Sequence, residues 1–194
     1  TYGSVKLPND LGSGGGTAST FYTGGAGGGL VILKIADDFT FNGDISADGA
    51  TGASNVNYKG GGGAGGSVRV ETENLLGAGG DITVMGGEGA GGNGGGGRSS
   101  LVVLTDDSAY GGGSLNSVTV TATGGVTNAL PAAAGTIYMK GPADTNGHLT
   151  FNNGALNYSP GRETEINASE VFDSLTVANS NTGIAIKNGV SFNM

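Results

Sequence analysis

The chain has 194 residues, among them 43 glycines, 4 prolines and no cysteine, and its formal net charge is -8. Only eight lysines and arginines are present, and they form no basic cluster, which argues against nucleic acid or an anionic membrane surface as a partner. The lack of cysteine excludes disulfides and thiolate metal sites, and no apolar run approaches the roughly 20 residues of a bilayer span.

Glycine-rich clusters precede short apolar strands four times along the chain. GGAGGG precedes LVILKI, GGGGAGG precedes SVRVET, GGGG and RSS precede LVVLT, and AAAG precedes TIYMK. If Val31, Val68, Val102 and Ile137 are equivalent, the repeats are 37, 34 and 35 residues long. A flexible linker has no reason to keep such a phase with its flanking strands, so the pattern indicates folded repeats.

A second strand signal follows each first one, at Ile45, Ile82, Val120 and Leu149. Apolar residues alternate in DITV, SVTVTAT and HLTF, as in half-buried strands, and no segment has an apolar stripe of helical period. A repeat of about 35 residues without helices favours stacked coils over a propeller or a β-sandwich. We therefore predict an all-β fold, a glycine-rich parallel β-helix (β-solenoid) of right-handed sense.

The glycine clusters themselves need a structural reason, because glycine loses more conformational freedom on folding than any other residue. Glycine is suited to places where backbones approach closely or where φ is positive. We expect the clusters to stack along the solenoid, with extended backbones paired between coils. The alternative is a set of flexible loops that project from one side.

The composition changes near Ala155, where glycine becomes sparse. This change predicts repeats over residues 1–154 and terminal coils, or a cap of the same solenoid, over residues 155–194. Alternating apolar residues there predict three short strands, at Leu175 and Val177, Ile184 and Ile186, and Val190 and Phe192. Solenoids need capped ends, so we expect the last coil to contact another copy or the rest of a longer protein.

Paired carboxylates follow two of the apolar strands, at Asp37, Asp38, Asp106 and Asp107. Stacked coils would bring these residues to one edge, where like charges repel each other unless a cation lies between them. Carboxylate oxygens are ligands that calcium prefers, so these four residues are the predicted metal site. The alternative is a solvated acidic edge, and no other cofactor is predicted.

An enzymatic function is not predicted. His148 is the only histidine and is expected to be a solvated residue at the start of a strand, and no nucleophile-elbow motif is present. Tyr22, Tyr58, Tyr110 and Tyr138 lie near repeat junctions. They are expected to pack at the corners of the coils, whereas an outward-facing ladder would favour glycan binding.

The segment YGSVKLPNDLGSGGG and the two repeats after it resemble a glycine-rich repeat region of very large secreted or surface-attached bacterial proteins, which are adhesin-like and β-helical. The resemblance covers Tyr2 to Asn153, and TDDSAYGGGSLNS departs from it by its length. It implies an extracellular or cell-surface structural protein, a stalk or a filament-forming segment that associates head to tail with itself or belongs to a longer surface protein. The alternative is a carbohydrate-binding module of an adhesin or polysaccharide-degrading protein, with glycans as ligands, and the third hypothesis, after these two, is a polysaccharide-active enzyme.

Overall fold

A computed structural model describes residues 4–108, 115–127, 130–154, 161–166, 169–179, 182–187 and 192–193. Tyr110 and Val190, which the sequence analysis singled out, lie outside these residues. One turn of 3-10 helix covers Leu115–Ser117, and the described residues contain no α-helix, as predicted.

The described residues form fifteen strands. Their bounds are β1 Leu30–Thr40, β2 Asp44–Ser46, β3 Ser67–Leu76, β4 Asp81–Thr83, β5 Arg98–Asp106, β6 Thr119–Thr121, β7 Val126–Thr127, β8 Leu130–Pro131, β9 Thr136–Lys140, β10 His148–Asn152, β11 Thr164–Ile166, β12 Glu170–Val171, β13 Ser174–Ala178, β14 Ile184–Ile186 and β15 Phe192–Asn193.

Two facing sheets form the core region of the molecule. The larger has six strands in the order β1-β3-β5-β9-β10-β13, and the smaller has three in the order β2-β4-β6. Apolar side chains from both sheets meet in one cluster, in which Val70, Leu101 and Ile82 are fully buried. Alternation of apolar and polar residues explains this arrangement, since every second side chain of a strand lies on the same face.

The predicted parallel β-helix is wrong. The strands belong to five separate sheets, and the six-stranded sheet is mixed, because β9 and β10 pair antiparallel. The chain reverses there within one sheet, at a turn that contains Gly147 with a φ of 73°. A β-helix would instead carry the chain around a closed coil. The smaller sheet therefore consists of β2, β4 and β6 and contains no described strand from the fourth repeat.

The first three repeats still place equivalent strands side by side. Ile45, Ile82 and Val120 pair in parallel register, which confirms their predicted equivalence. The third long strand is shifted, however. Ser99, not Val102, pairs with both Val68 and Ile137. The prediction failed because it aligned the repeats on the apolar residues of LVVLT, whereas the polar RSS sequence before them begins β5 and is buried there.

The glycine clusters form hydrogen-bonded layers beside the core region. Within residues 60–66, the N–H groups of Gly60, Gly63 and Gly66 donate to carbonyls of residues 47–53, whereas those of Gly61 and Ala64 donate to residues 13–16. The N–H groups of residues 62 and 65 donate to residues 92 and 95. Partners thus repeat every third residue in three directions, a pattern typical of the polyproline II helix.

Close approach, not positive φ, explains most glycines of these layers. A Cβ atom on Gly63 would lie 1.9 Å from the carbonyl oxygen of Ala26, and one on Gly94 would lie 1.9 Å from that of Gly63. Neither residue has a positive φ. The alternative of projecting flexible loops does not describe these residues, because their backbones are bonded to neighbouring segments on several sides. We call residues 12–16, 24–29, 47–53, 60–66, 84–97, 121–125 and 132–135 the glycine layers.

The N-terminal residues cross the outer face of the six-stranded sheet as a strap, residues 4–13. Asp10 forms an ion pair with Arg98 at 3.0 Å, and its backbone carbonyl accepts a hydrogen bond from the Ser67 hydroxyl. Ser100 donates a hydrogen bond to the carbonyl of Lys6 at 2.8 Å.

Beyond β5 the strap covers a second apolar cluster, in which Val5 packs with buried residues of β9, β10 and the C-terminal strands. Burial raises the pKa of Tyr138 in this cluster to about 12, with a smaller effect from the charge of Glu170.

The C-terminal residues join the same fold. β13 pairs in parallel with β10, so residues on both sides of the predicted boundary at residue 155 share the six-stranded sheet. The predicted strands at Leu175 and Ile184 are confirmed as β13 and β14, and Phe192 lies in β15.

Candidate functional site

The predicted acidic residues do not converge. Asp38 and Asp106 both pair with Asn74 of β3, from opposite sides, so about 10 Å separates their strands. Asn74 donates a hydrogen bond to Asp38 at 2.9 Å. Among the residues that the structure describes, no three histidine or acidic side chains are grouped closely enough to hold a metal ion.

The other two members of the predicted set differ in their surroundings. Thr72 donates a hydrogen bond to the backbone carbonyl of Asp37 at 2.9 Å. Asp107 lies at a cleft beyond β5, together with Asp106. Hydrogen bonds from the side chain and the backbone N–H of Ser108 lower the pKa of Asp106. The calcium site stays a prediction, and this geometry does not bring its four residues to one point.

A cleft of about 600 Å³ opens where the core face of the six-stranded sheet extends past the smaller sheet. Within the part of the chain that the structure describes, the smaller sheet ends at β6, and β10 and β13 have no strand of that sheet opposite them. Met139 pairs with His148, and Ile137 with Thr150, so the face that is apolar in β9 becomes polar in β10. The described residues that line the cleft are Thr105, Asp106, Asp107, Leu115, Met139, Gly141, Pro142, Ala143, Asp144, His148, Thr150, Ser174 and Thr176.

His148 lies in this cleft and has a hydrogen-bond partner on each ring nitrogen. Its Nδ1 atom is 2.7 Å from Ser174 Oγ, and its Nε2 atom is 3.1 Å from Asp144 Oδ1. His148 and Ser174 are paired residues of the parallel strands β10 and β13, which places their side chains side by side. The side chain of His148 is 46% exposed, so the predicted exposure is present, but the imidazole is also fixed in place.

The Asp144 carboxylate is itself held by the turn between β9 and β10. Its Oδ2 atom accepts a hydrogen bond from the backbone N–H of Gly141 at 2.8 Å, which leaves Oδ1 for the imidazole. An ionised carboxylate can only accept, so Nε2 of a neutral His148 must donate to it. Nδ1 is then the acceptor, and the hydroxyl of Ser174 donates to it.

Sequence reasoning missed this group of three residues. Asp144 precedes His148 by four residues, a spacing that by itself indicates no catalytic pair in a strand and turn. Ser174 lies 26 residues after His148, and no motif connects them. The pairing of β10 with β13 brings the serine to the histidine, and that pairing depends on the antiparallel turn that the β-helix prediction did not contain.

The tyrosines divide between two places. Tyr22 and Tyr58 stack with ring centroids 5.5 Å apart, in turns of the glycine layers, and Tyr58 is 47% exposed. Phe21 beside them is 87% exposed. Tyr138 is buried on the outer face of the sheet, so these tyrosines do not form one ladder.

Comparisons with known proteins identify no relative. No protein-family model, no curated protein and no solved structure matches this chain. Among the described residues, no helix is long and apolar enough to cross a membrane.

Proposed function

We propose that this protein is an extracellular structural protein, a stalk or filament-forming segment in which copies join edge to edge. The observation that carries the proposal is an open edge at the first repeat. β1 is the outermost strand of the six-stranded sheet, and β2 is the outermost strand of the smaller one. Both edges lie at the same end of the stack of repeats.

This edge leaves part of the core accessible. Val31 and Leu33 of β1 are only half-buried, whereas the paired Val68 and Val70 of β3 are fully buried. Ile32 on the other face is 44% exposed. An edge strand of 11 residues also presents unpaired N–H and C=O groups, which can pair with another strand.

A second copy of this chain is the partner whose spacing fits the edge. Each of the first three repeats already offers a long strand, a short strand and glycine segments at the separations that the neighbouring repeat requires. A long strand and a short strand from another copy would continue the two sheets, and the long strand would bury Val31 and Leu33. Repeated contacts of this kind between different edges produce open filaments.

Negative-stain electron microscopy and sedimentation velocity over a range of protein concentrations test the proposal. The wild-type protein should form rods that lengthen with concentration, and Ile32→Lys should shorten them because lysine blocks strand addition at an edge. Leu104→Lys is the control, since Leu104 is 48% exposed but lies on the interior strand β5. Monomers or closed dimers of the wild type would contradict the filament. Runs with calcium and with chelator test the metal prediction in the same experiment.

A second candidate function is carbohydrate binding, which the exposed aromatic group of Phe21, Tyr22 and Tyr58 favours. Flat aromatic faces at the surface offer apolar area together with a polar hydroxyl. A glycan that binds there should raise the Tm by mass action. Tyr58→Ala should abolish that rise, whereas Val56→Ala, at a side chain that is 93% exposed nearby, should retain it. A rise that persists in Tyr58→Ala would contradict binding at this group.

A further inference from the structure

We propose that Asp144, His148 and Ser174 form a nucleophilic site that hydrolyses small uncharged acyl esters. This activity goes beyond the structural role and departs from the sequence-based expectation that the protein is not an enzyme. The juxtaposition that carries it is the Ser174–His148–Asp144 chain of hydrogen bonds at the open cleft.

The direction of the hydrogen bonds suits proton removal from Ser174. Asp144 accepts from Nε2–H and leaves the lone pair of Nδ1 facing the serine hydroxyl at 2.7 Å. A serine becomes a nucleophile when an adjacent base takes its proton and a third group orients that base. Serine hydrolases use the same three residue types with the roles of the two ring nitrogens exchanged, and the triad is recognised by geometry, not by sequence.

The site is built on regular elements. Ser174 and His148 are held by the parallel ladder between β13 and β10, and Asp144 is held by the N–H of Gly141. The turn that carries Asp144 is closed by Asp173, whose carboxylate accepts hydrogen bonds from the N–H groups of Asn146 and Gly147 at 2.7 and 2.9 Å. Groups fixed in this way keep the separations that proton transfer needs.

The lining of the cleft defines the substrate class. Its described lining residues include no lysine or arginine, while Asp106 and Asp107 lie on its wall, so an anionic substrate would be repelled. Leu115 and Met139 provide an apolar surface for a short acyl group. Thr150 and Thr176 lie two positions beyond His148 and Ser174 on the same sheet face and also line the cleft, and we assign their hydroxyls as donors to a developing oxyanion.

The reaction balances with an ester and water. Ser174 Oγ attacks the carbonyl carbon as its proton passes to Nδ1, and the bond to the leaving alcohol then breaks as Nδ1 returns that proton to the alcohol oxygen. Water attacks the acyl-serine and gives a proton to Nδ1. The bond between the acyl carbon and Oγ breaks, Oγ regains the proton, and a carboxylic acid leaves.

The test uses the full chain, a neutral fluorophosphonate probe and p-nitrophenyl acetate. We expect labelling of one serine per chain, assigned to Ser174 by peptide mass spectrometry, together with turnover of the acetate ester. Ser174→Ala should abolish both. His148→Gln should slow labelling by roughly 100-fold or more, the usual contribution of a general base. Asp144→Asn should slow it by about 10-fold or more, because an amide that donates to Nε2 leaves the proton on Nδ1.

Ser54→Ala is the matched control, since Ser54 is an exposed serine in the turn between residues 53 and 60. The probe should label Ser174 in this variant at the wild-type rate. Thermal melts identify any variant that fails to fold. Asp144→Asn and His148→Gln each test whether labelling of Ser174 depends on the histidine, so the proposal can be tested even if one of them does not fold. Absence of labelling in the wild type would overturn the proposal. Equal labelling of wild type and Ser174→Ala, or equal rates for wild type and a folded His148→Gln, would overturn it as well.

Discussion

The core region and the glycine layers are two parts of the same repeats that are stabilised in opposite ways. The core region buries side chains, with Val68, Leu101 and Ile82 inaccessible to solvent between two sheets. The glycine layers bury few side chains besides Ala47, Val84 and Ala122, which reach the core region, and their segments are joined by backbone hydrogen bonds in three directions. The core region is specific because its side chains fit together, whereas the glycine layers are specific because most of their positions leave no room for a Cβ atom.

The energies of the two regions differ accordingly. A backbone hydrogen bond contributes about 0.5–1.5 kcal/mol net, whereas fixing the backbone of one residue costs about 1–2 kcal/mol. All seven N–H groups of residues 60–66 are bonded, yet these bonds do not exceed the entropy cost. The glycine layers therefore depend on the core region. Apart from residues 12–16, each segment is directly joined to at least one strand, and those strands set its register.

The largest expected effect is in the core region. Leu101→Ala should lower the free energy of unfolding by about 2–5 kcal/mol, since it leaves a cavity between the two sheets. Leu104→Ala on the same strand, at a side chain that is 48% exposed, should change it by less than about 0.5 kcal/mol. Urea denaturation measures both. Equal losses for the two leucines would contradict the position of the core.

The next effect distinguishes neighbouring glycines of one layer. Gly94→Ala should destabilise the protein by about 1–3 kcal/mol, because the new Cβ would overlap the backbone of Gly63. At Gly95 the nearest atom would be 3.7 Å away, and alanine should be neutral or stabilise by about 0.4–1 kcal/mol through the unfolded chain. Thermal unfolding of the two variants measures the difference, and equal stability would contradict the packing of the layers.

A smaller effect concerns two adjacent serines of β5. The hydroxyl of Ser99 is buried without a hydrogen-bond partner, whereas that of Ser100 donates to the carbonyl of Lys6. Ser99→Ala should raise the free energy of unfolding by about 1 kcal/mol, and Ser100→Ala should lower it by a similar amount. Denaturant titrations decide the sign. A loss at Ser99 would contradict its position against the apolar cluster.

The smallest effect is a pH dependence at the turn that ends the regular repeats. Hydrogen bonds from Asn146 and Gly147 hold the pKa of Asp173 below its ordinary value of 3.8, chiefly through the backbone N–H of Asn146. This lowered pKa stabilises the folded state above pH 3.8, and the contribution disappears as the pH falls through the folded-state value. The loss of Tm caused by Asp173→Asn should therefore be largest at pH 7 and become smaller as the pH falls below 3.8. A loss that stays constant over this pH range would rule out the ionisation as its cause.

The sequence was informative where one face of a strand is apolar. Alternation predicted β4, β6, β10, β13 and β14, because a period of two requires no knowledge of the partner strand. It was also informative about the glycine clusters, whose phase indicated that they are structured. It did not predict that Ser99 pairs with Val68, since the sequence alone does not distinguish a buried polar residue of a strand from a polar residue of a loop.

The features that the sequence did not predict depend on which distant segments pair with each other, and not on the residues of any one segment. The three directions of bonding around Gly62, Gly63 and Ala64 involve three different segments, so no local pattern contains them. The antiparallel return of β10 follows from one turn, and the contact of His148 with Ser174 follows from that return. For this reason the sequence predicted strands and repeats but neither the mixed sheet nor the candidate site.

The N-terminal strap has a consequence for the order in which the chain folds. Ser4 donates a hydrogen bond to Glu170, 166 residues later, and Asp10 pairs with Arg98. The strap can take its place only after β5 and β12 have formed, and contacts between such distant residues slow folding. The strap is therefore synthesised before β5 and β12 but can bind to the fold only after they have formed. Once in place, the strap joins the first residues to the last strands, so both regions are expected to unfold as one cooperative unit.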